Sequence, residues 1–454
     1  MRQLGPFLTP RIGIKPPPLN PHSPILFLSP AMSVAVGYTE FAHEQSEALK
    51  ERFAYAKRVL KEALDVEVES LEPITRGYNN KVYILKLLPH VPVATSRVLQ
   101  PGCLPFPSQT PDALVFRTVR MRSHVPPPRK VLNAVATRQL VRENTDLPIA
   151  PVYAYDVHAP EPWMVEAKLP GVPMDEAWQT ADTDTRMRML ESLADVFAKL
   201  KAIPAPAGQF GGVGYDSEGK IVLGPTCLGY DEGPFATAKE HYKAWIGGQW
   251  EDAKKNPHTD GWKAEGLYDR IEKFVSEGLD SALACLDGCK PVFIHADFGL
   301  LNTMVSETAP AHVTGVLDFE WSHFGTESDE YFLSSPGPGI IYGGAYDTKP
   351  DSRSDIRVRN LLAGTTPAEP GEDLLTYKMD AFLKARNVGT FSTIPNFQEI
   401  ARLYWFGEYV RPWFFYESGA PMSAEAQAKF DEKMKKTKEK SAICFDKDLK
   451  IWGY

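Results

Sequence analysis

The sequence predicts an α+β chain of two lobes, a small strand-rich one followed by a larger helical one. Three observations lead there. Before Pro170-Gly171 the apolar residues gather in short runs of strand length. After it they recur at three- and four-residue spacing over long stretches, the pattern of helices with one buried face. Between Pro291 and Phe324, two short apolar runs flank a turn rich in Asp, Asn and His. The 454 residues, 43% of them apolar, suffice for at least one large core. With 50 basic and 58 acidic residues the formal charge is −8, which argues against a general nucleic-acid binder. No run of 18 apolar residues exists, so no membrane span is expected.

Residues 1–36 are expected to be a disordered tail, because residues 1–30 hold eight prolines and no acid. A mitochondrial targeting segment is the alternative, and cytoplasm the default location. The small lobe is assigned to 37–168. It opens with a helix over 42–66, whose Leu49, Phe53, Ala56, Leu60 and Leu64 share a face. Strands follow at Val82–Leu87 and Leu114–Val119. The connection 89–111 holds six prolines and is read as an inserted loop. A helix over Asn133–Asn144 stops before Pro148, and strands follow at Val152–Tyr155 and Trp163–Ala167.

The helical lobe is assigned to 169–430. Helices are expected at 185–200, 232–250, 262–286, 371–387, 395–411 and 422–438, with loops at 208–229 and 335–370. Residues 431–454 read as a charged tail, helical or flexible, because both charge signs crowd there. The five cysteines, Cys103, Cys227, Cys285, Cys289 and Cys444, are too sparse for a disulfide scaffold and read as packing or turn residues.

The chemistry concentrates in 291–321. The strand Val292–Ile294 leads into His295, Asp297 and Asn302, and Val313–Leu317 delivers Asp318 and then Glu320. An Asp and an Asn five apart, with a second Asp ending a partner strand, suit magnesium-dependent phosphoryl transfer. Asp297 can accept the proton of a substrate hydroxyl. Asn302 and Asp318 offer the hard oxygens that Mg²⁺ prefers. A hydrolase pair of carboxylates is the other reading of the two aspartates.

HADFGLLN followed by VLDFEW resembles the aminoglycoside phosphotransferase and choline kinase family, whose usual pattern is His-Gly/Asn-Asp-x4-Asn and then Ile-Asp-Phe/Trp-Glu. The resemblance implies a bilobal protein-kinase-like fold. It makes Asp297 the catalytic Asp, His295 the brace of the catalytic loop, and Asn302 and Asp318 the Mg²⁺ ligands. LEPITRGYNNKVYILKL resembles the phosphate-covering hairpin, with Gly77, Asn79 and Asn80 near phosphate. ALVFRTV resembles the third strand and puts Arg117 on the ATP phosphates. WMVEAKLPG resembles the hinge, with Glu166 and Ala167 flanking adenine. FGGVGYDSEGKIVLGP is similar to a segment of fungal members. Coverage runs over about 68–335.

One departure stands out. The family carries a Glu on the small-lobe helix that pairs with the strand-three cation. The matching stretch here is NAVATRQLVREN, which puts Ala134 at that position. Glu143 is more than two turns away, so Glu69 or Glu72 are the expected substitutes. The leading expectation is an ATP- and Mg²⁺-dependent transferase acting on a hydroxyl of a small molecule, with Glu320 contacting the acceptor. The alternative is a catalytically weak or inactive kinase-like module. Nothing in the sequence identifies the acceptor, a protein partner or the oligomeric state.

Overall fold

The computed structural model describes residues 46–74, 80–89, 99–119, 125–228, 231–343, 351–412 and 424–454. The expected tail 1–36, Gly77 and Asn79, which were expected near phosphate, and part of the 89–111 connection lie outside them.

Helix α1 (Ser46–Leu64) precedes β1 (Val68–Ile74), β2 (Asn80–Leu87) and β3 (Ala113–Val119). Then come α2 (Pro127–Asn144), β4 (Val152–Asp156) and β5 (Trp163–Ala167). The five strands form one antiparallel sheet in the order β1-β2-β3-β5-β4. Strand alternation sends their side chains to two faces. Leu85, Leu114, Phe116, Trp163 and Val165 pack under α1 with Ala56, Val59 and Leu60. Val119 and Met164 face the other way, against Val131, Ala134 and Val135 of α2. The lobe is therefore a sheet with a helix on each face.

The chain crosses to the helical lobe through Pro170-Gly171. Gly171 has a φ of +94°, and a side chain there would meet the Val305 carbonyl at 2.1 Å. Only glycine fits a backbone approach that close. Two-residue β6 (Val172–Pro173) follows, then α3 (Met174–Thr180) and α4 (Thr183–Lys201). Asp182 caps α4 by accepting from the Thr185 N–H at 2.7 Å. β7 (Gly211–Tyr215) and β8 (Ile221–Gly224) form a hairpin where a loop over 208–229 was expected. The Asp216 carboxylate accepts from the Glu218 and Lys220 N–H groups, and Gly219 takes the left-handed position. Asp-Ser-Glu-Gly-Lys is thus a turn signal between two short apolar runs.

Helix α5 (Ala238–Lys255) starts in a capping box made by Thr237 and Glu240. The expected helix over 262–286 is instead broken into α6 (Tyr268–Lys273), a π-turn at Phe274–Gly278, α7 (Leu279–Ala282) and a 3₁₀ turn. β9 (Val292–Ile294), β10 (Thr303–Val305), β11 (Val313–Val316) and β12 (His323–Gly325) carry the central motifs. They build two small sheets, β11-β10-β6 and β8-β7-β12-β9. After α8 (Glu330–Leu333) comes α9 (Arg353–Ala363), inside the stretch read as loop. Its ends were legible: Ser352 accepts from the Asp355 N–H, and Gly364 closes it in the left-handed conformation.

Helices α10 (Leu374–Ala385) and α11 (Phe397–Val410) complete the core with α4 and α5. Trp250, Phe197, Phe406 and Tyr242 are almost wholly buried in it. Burying such side chains contributes about 1.5–3 kcal/mol each. Most of the span 431–454 belongs to the 28-residue α12 (Ala424–Ile451) and is not a tail. Its Phe445 and Leu449 are fully buried. Phe445 meets Trp262 edge-on at 4.8 Å, and Trp452 stacks on Phe274 at 4.3 Å. A side chain at Gly278 would strike the Tyr454 ring. The lysine count of this segment hides a one-sided apolar face. No described helix is long and apolar enough to cross a membrane.

Candidate active site

The site forms where two loops of the helical lobe face the sheet of the small lobe. The first loop follows β9 and carries His295, Ala296, Asp297 and Asn302; the second follows β11 and carries Asp318 and Glu320. The Leu317 N–H donates to the Asn302 carbonyl at 2.9 Å, which ties the two loops together. A second tie comes from His295. Its ring is fully buried, lies 4.7 Å from that of Phe319, and places Nε2 2.9 Å from the Leu317 carbonyl. A carbonyl only accepts, so Nε2 carries the proton. Burial pushes the imidazole below its ordinary value, against the pull of Glu330 and Asp318, and keeps it neutral. His295 therefore braces backbone and has no free donor toward the cleft.

Asn302 donates through Nδ2 to the Asp297 carbonyl at 2.7 Å and to its carboxylate at 2.9 Å. That leaves Oδ1 as the acceptor the amide can offer outward. Burial, then the Asp318 charge, push the Asp297 carboxyl well above the usual range, although Asn302 opposes them. Asp318 has the same burial, but the Arg117 guanidinium outweighs it and leaves the carboxyl below its ordinary value. Two neighbouring aspartates are thus held apart in basicity by one cation.

Arg117 reaches this point from β3. Its position in the alternation turns it away from α1 and into the cleft, where Nη1 donates to Asp318 Oδ1 at 3.0 Å. Glu166, on β5, lies 3.5 Å from Arg117 Nε and also accepts from Arg138 of α2. Glu166 is 3% exposed and its carboxylate is spent on these two cations. The expected substitutes Glu69 and Glu72 are instead exposed on β1. Ala167 follows Glu166, but its N–H donates to the Pro151 carbonyl at 2.9 Å.

Asn80 is buried and donates to Glu320 Oε2 at 2.8 Å, so its side chain joins the two lobes. Glu320 is buried as well, and its Oε1 has no partner among the described residues. Burial and the Asp318 charge raise its carboxyl. Gly77 and Asn79 lie outside the described residues. A wide concavity of about 770 Å³ lies elsewhere, between α3, the start of α4 and the β10–β11 turn. None of the site residues lines it, so the chemistry and not the volume locates the site.

The family pattern for phosphotransferases matches residues 70–327 of this chain, more than half of its length. The chain belongs to the phosphotransferase enzyme family. Among solved structures it is similar to the streptomycin-ATP-APH(2")-IIa ternary complex, with a TM-score of 0.44 and 12% identity over 86% of this chain and 98% of that one. No curated protein sequence matches.

In this phosphotransferase, several residues that shape the site carry no motif of their own. Glu330 is 1% exposed and accepts from the His295 N–H at 2.9 Å, the Ala296 N–H at 3.0 Å and Lys201 Nζ at 2.8 Å. The buried Ser334 hydroxyl also donates to it. These bonds hold Ala296 at a φ of +68°, where the family pattern has Gly or Asn and a Cβ costs about 1–2 kcal/mol. Asp318, at +64°, sits in the same region. Asn133 of α2 donates to the Glu320 carbonyl at 3.1 Å and the Ser322 carbonyl at 2.9 Å, and accepts from the Val213 N–H. One amide thus docks the helix on the second loop. A buried Asn or Arg inside an otherwise apolar helix face is the signal that could have singled out Asn133 and Arg138.

Burial would raise the Glu330 carboxyl, but the Lys201 charge, helped by the hydrogen bonds from Lys201 and Ser334, outweighs it and brings it down to about 2. Its folded value lies below the unfolded one, so its contribution is present above about pH 4.3 and is lost as pH falls toward 2, about 3 kcal/mol in all. Glu330→Ala should cost about 3–5 kcal/mol at pH 7, because it strands buried Lys201 and two backbone donors. Denaturant unfolding of both proteins between pH 7 and 3 checks this. The variant should lack the acid-dependent part of the wild-type loss; parallel curves would contradict it.

Proposed function

We propose that this chain transfers the γ-phosphoryl group of ATP to a hydroxyl of a small molecule, with Mg²⁺ as cofactor. The observation that carries the reading is the meeting of Asp297, Asn302, Asp318 and Arg117 around one cleft, joined by the Asn302–Leu317 and Arg117–Asp318 bonds. The residues fit a magnesium ion. Asn302 Oδ1 and the Asp318 carboxylate are hard oxygen donors, and Glu320 keeps a buried oxygen unpaired nearby. Among the described residues no three His, Cys, Asp or Glu side chains enclose a metal on their own. A site with one carboxylate and one amide suits Mg²⁺, which takes its other oxygens from phosphate and water. When bound, the ion would neutralise phosphate charge.

The chain's own residues do the rest. Arg117, always cationic, presents its fork toward phosphate from the small lobe. Asp297 orients the acceptor hydroxyl and takes its proton as the oxygen attacks phosphorus. The bond from phosphorus to the ADP oxygen breaks, and a bond from phosphorus to the acceptor oxygen forms. The raised basicity of Asp297 suits that task. Asn302 holds Asp297 in place through one bond to its carboxylate and one to its backbone carbonyl. His295 and Glu330 fix the loop backbone. The intact set of Asp297, Asn302 and Asp318, and an acid beside Arg117, weigh against an inactive module.

The test is titration calorimetry with ATP, with and without Mg²⁺, followed by ADP release across a panel of alcohols and amino sugars. Binding that requires Mg²⁺ supports the reading. Absence of any nucleotide binding would overturn it.

A further inference from the structure

Four side chains of alternating charge run through the small lobe into the site. Arg138 stands on α2, Glu166 on β5, Arg117 on β3 and Asp318 on the second loop. Arg138 donates to Glu166 Oε2, Glu166 Oε1 lies 3.5 Å from Arg117 Nε, and Arg117 Nη1 donates to Asp318 at 3.0 Å. Arg138, Glu166 and Arg117 are 1%, 3% and 9% exposed. Arg138 also places Nη1 3.7 Å from the Met164 sulfur, which seats its head on β5. Arg138 is one helical turn beyond Ala134, so it reaches the sheet from the same side of α2. The remaining acid in this stretch, Glu143, is exposed and accepts from Gln139. The helix therefore offers the sheet a cation where an acid was expected, and β5 supplies the acid.

This arrangement has a consequence for charge. Glu166 carries one negative charge and two buried guanidiniums compete for it. Arg138 holds Oε2 closely, and Arg117 keeps only a longer contact to Oε1, an ion pair without a hydrogen bond from Nε. Without Arg138, a buried carboxylate would face Arg117 alone. The favoured geometry is then a two-pronged pair, which turns the Arg117 fork from the cleft onto Glu166.

We propose that Arg138 is a positioning residue for nucleotide binding: it takes up one oxygen of Glu166 and so leaves the Arg117 fork free for Asp318 and phosphate. The proposal rests on the phosphotransferase reading above. It makes Arg138 and Glu166 a sign-reversed bridge between helix and sheet, in which the helix contributes the positive charge.

The test is a set of MgATP titrations on the full chain, run well below each variant's melting temperature so that every variant is folded. Arg138→Met should weaken MgATP binding by about tenfold or more, since a buried charged hydrogen bond is redirected. Removing the competing charge as well, in Arg138→Met/Glu166→Gln, should bring affinity back to within about threefold of wild type, as expected for coupled neighbours. In an Arg117→Ala background, Arg138→Met should change affinity by less than about twofold, because its target is gone. A merely structural role would lower melting temperature alike in both backgrounds and would give no rescue of affinity. Where Arg138→Met does not fold, Arg138→Lys keeps the charge but not the fork and should still lose about threefold. Unchanged affinity in a folded Arg138 variant, equal losses with and without Arg117, or no recovery in the double variant would each overturn the proposal. A wild type that binds no MgATP would overturn the functional reading and the role of Arg138 with it. A wild type that binds, with a flat cycle, would overturn only the role of Arg138.

Discussion

Asp297→Asn should lower kcat by about 10²–10⁴-fold while changing the MgATP dissociation constant by less than about threefold. The asymmetry follows from where the carboxylate points its chemistry. The carboxylate accepts from Asn302 Nδ2, which also donates to the Asp297 backbone carbonyl, so an amide can keep most of the loop in place. What the amide cannot do is accept a proton from the acceptor hydroxyl. The substituted side chain would also offer an N–H where Asn302 already donates, a local clash of donors worth about 1 kcal/mol. That effect should appear as a small drop in melting temperature and not in nucleotide affinity. Turnover is measured as ADP release with the best acceptor of the panel, or as slow ATP hydrolysis by water. A kcat within about fivefold of wild type would remove Asp297 from the chemical step.

Asp318→Asn should act at the other end, on binding. It removes the charged ligand proposed for Mg²⁺ and the closest acceptor of Arg117. Losing a charge-assisted contact of this kind costs about 2–3 kcal/mol, or roughly 30–150-fold in MgATP affinity. ATP without Mg²⁺ should be affected far less, because the repulsion between Asp318 and phosphate disappears along with the metal ligand. Calorimetry with and without Mg²⁺ separates the two. Equal loss of MgATP binding in the Asp297 and Asp318 variants would contradict this division of labour. The roles differ although the residues are neighbours, because Arg117 lowers one carboxyl while burial and its partner's charge raise the other.

Much of this site was legible in the chain. Asp297, Asn302 and Asp318 stand at the ends of short apolar runs, and runs of that length in that order form strands whose ends carry the loops. Arg117 could be aimed into the cleft from strand period alone, since Leu114 and Phe116 had to share the opposite face. The helices of the second lobe followed from three- and four-residue spacing, as α4 and α11 show. Three misread segments have plain causes. The hairpin β7–β8 and helix α9 were hidden by glycine and proline around them, although an Asx turn and a Ser–Gly pair of caps marked their ends. The segment after 431 looked like a tail because its lysines outnumber the few large residues that bury it.

The sequence by itself determined the lobes, the strand faces, the loop carrying Asp297 and Asn302 and its closeness to the loop carrying Asp318, because these depend on local spacing and on period. Only the tertiary structure decided which acid stands beside Arg117. Glu166 lies 49 positions from Arg117 in the chain and 28 from Arg138, and each pair is set by how β5 and α2 meet β3. It likewise decided that Glu330, remote from the motif and without periodicity, carries the backbone of the loop at His295 and Ala296. A buried charge is settled by every neighbour that folding brings within a few ångströms. No window of the sequence contains those neighbours together.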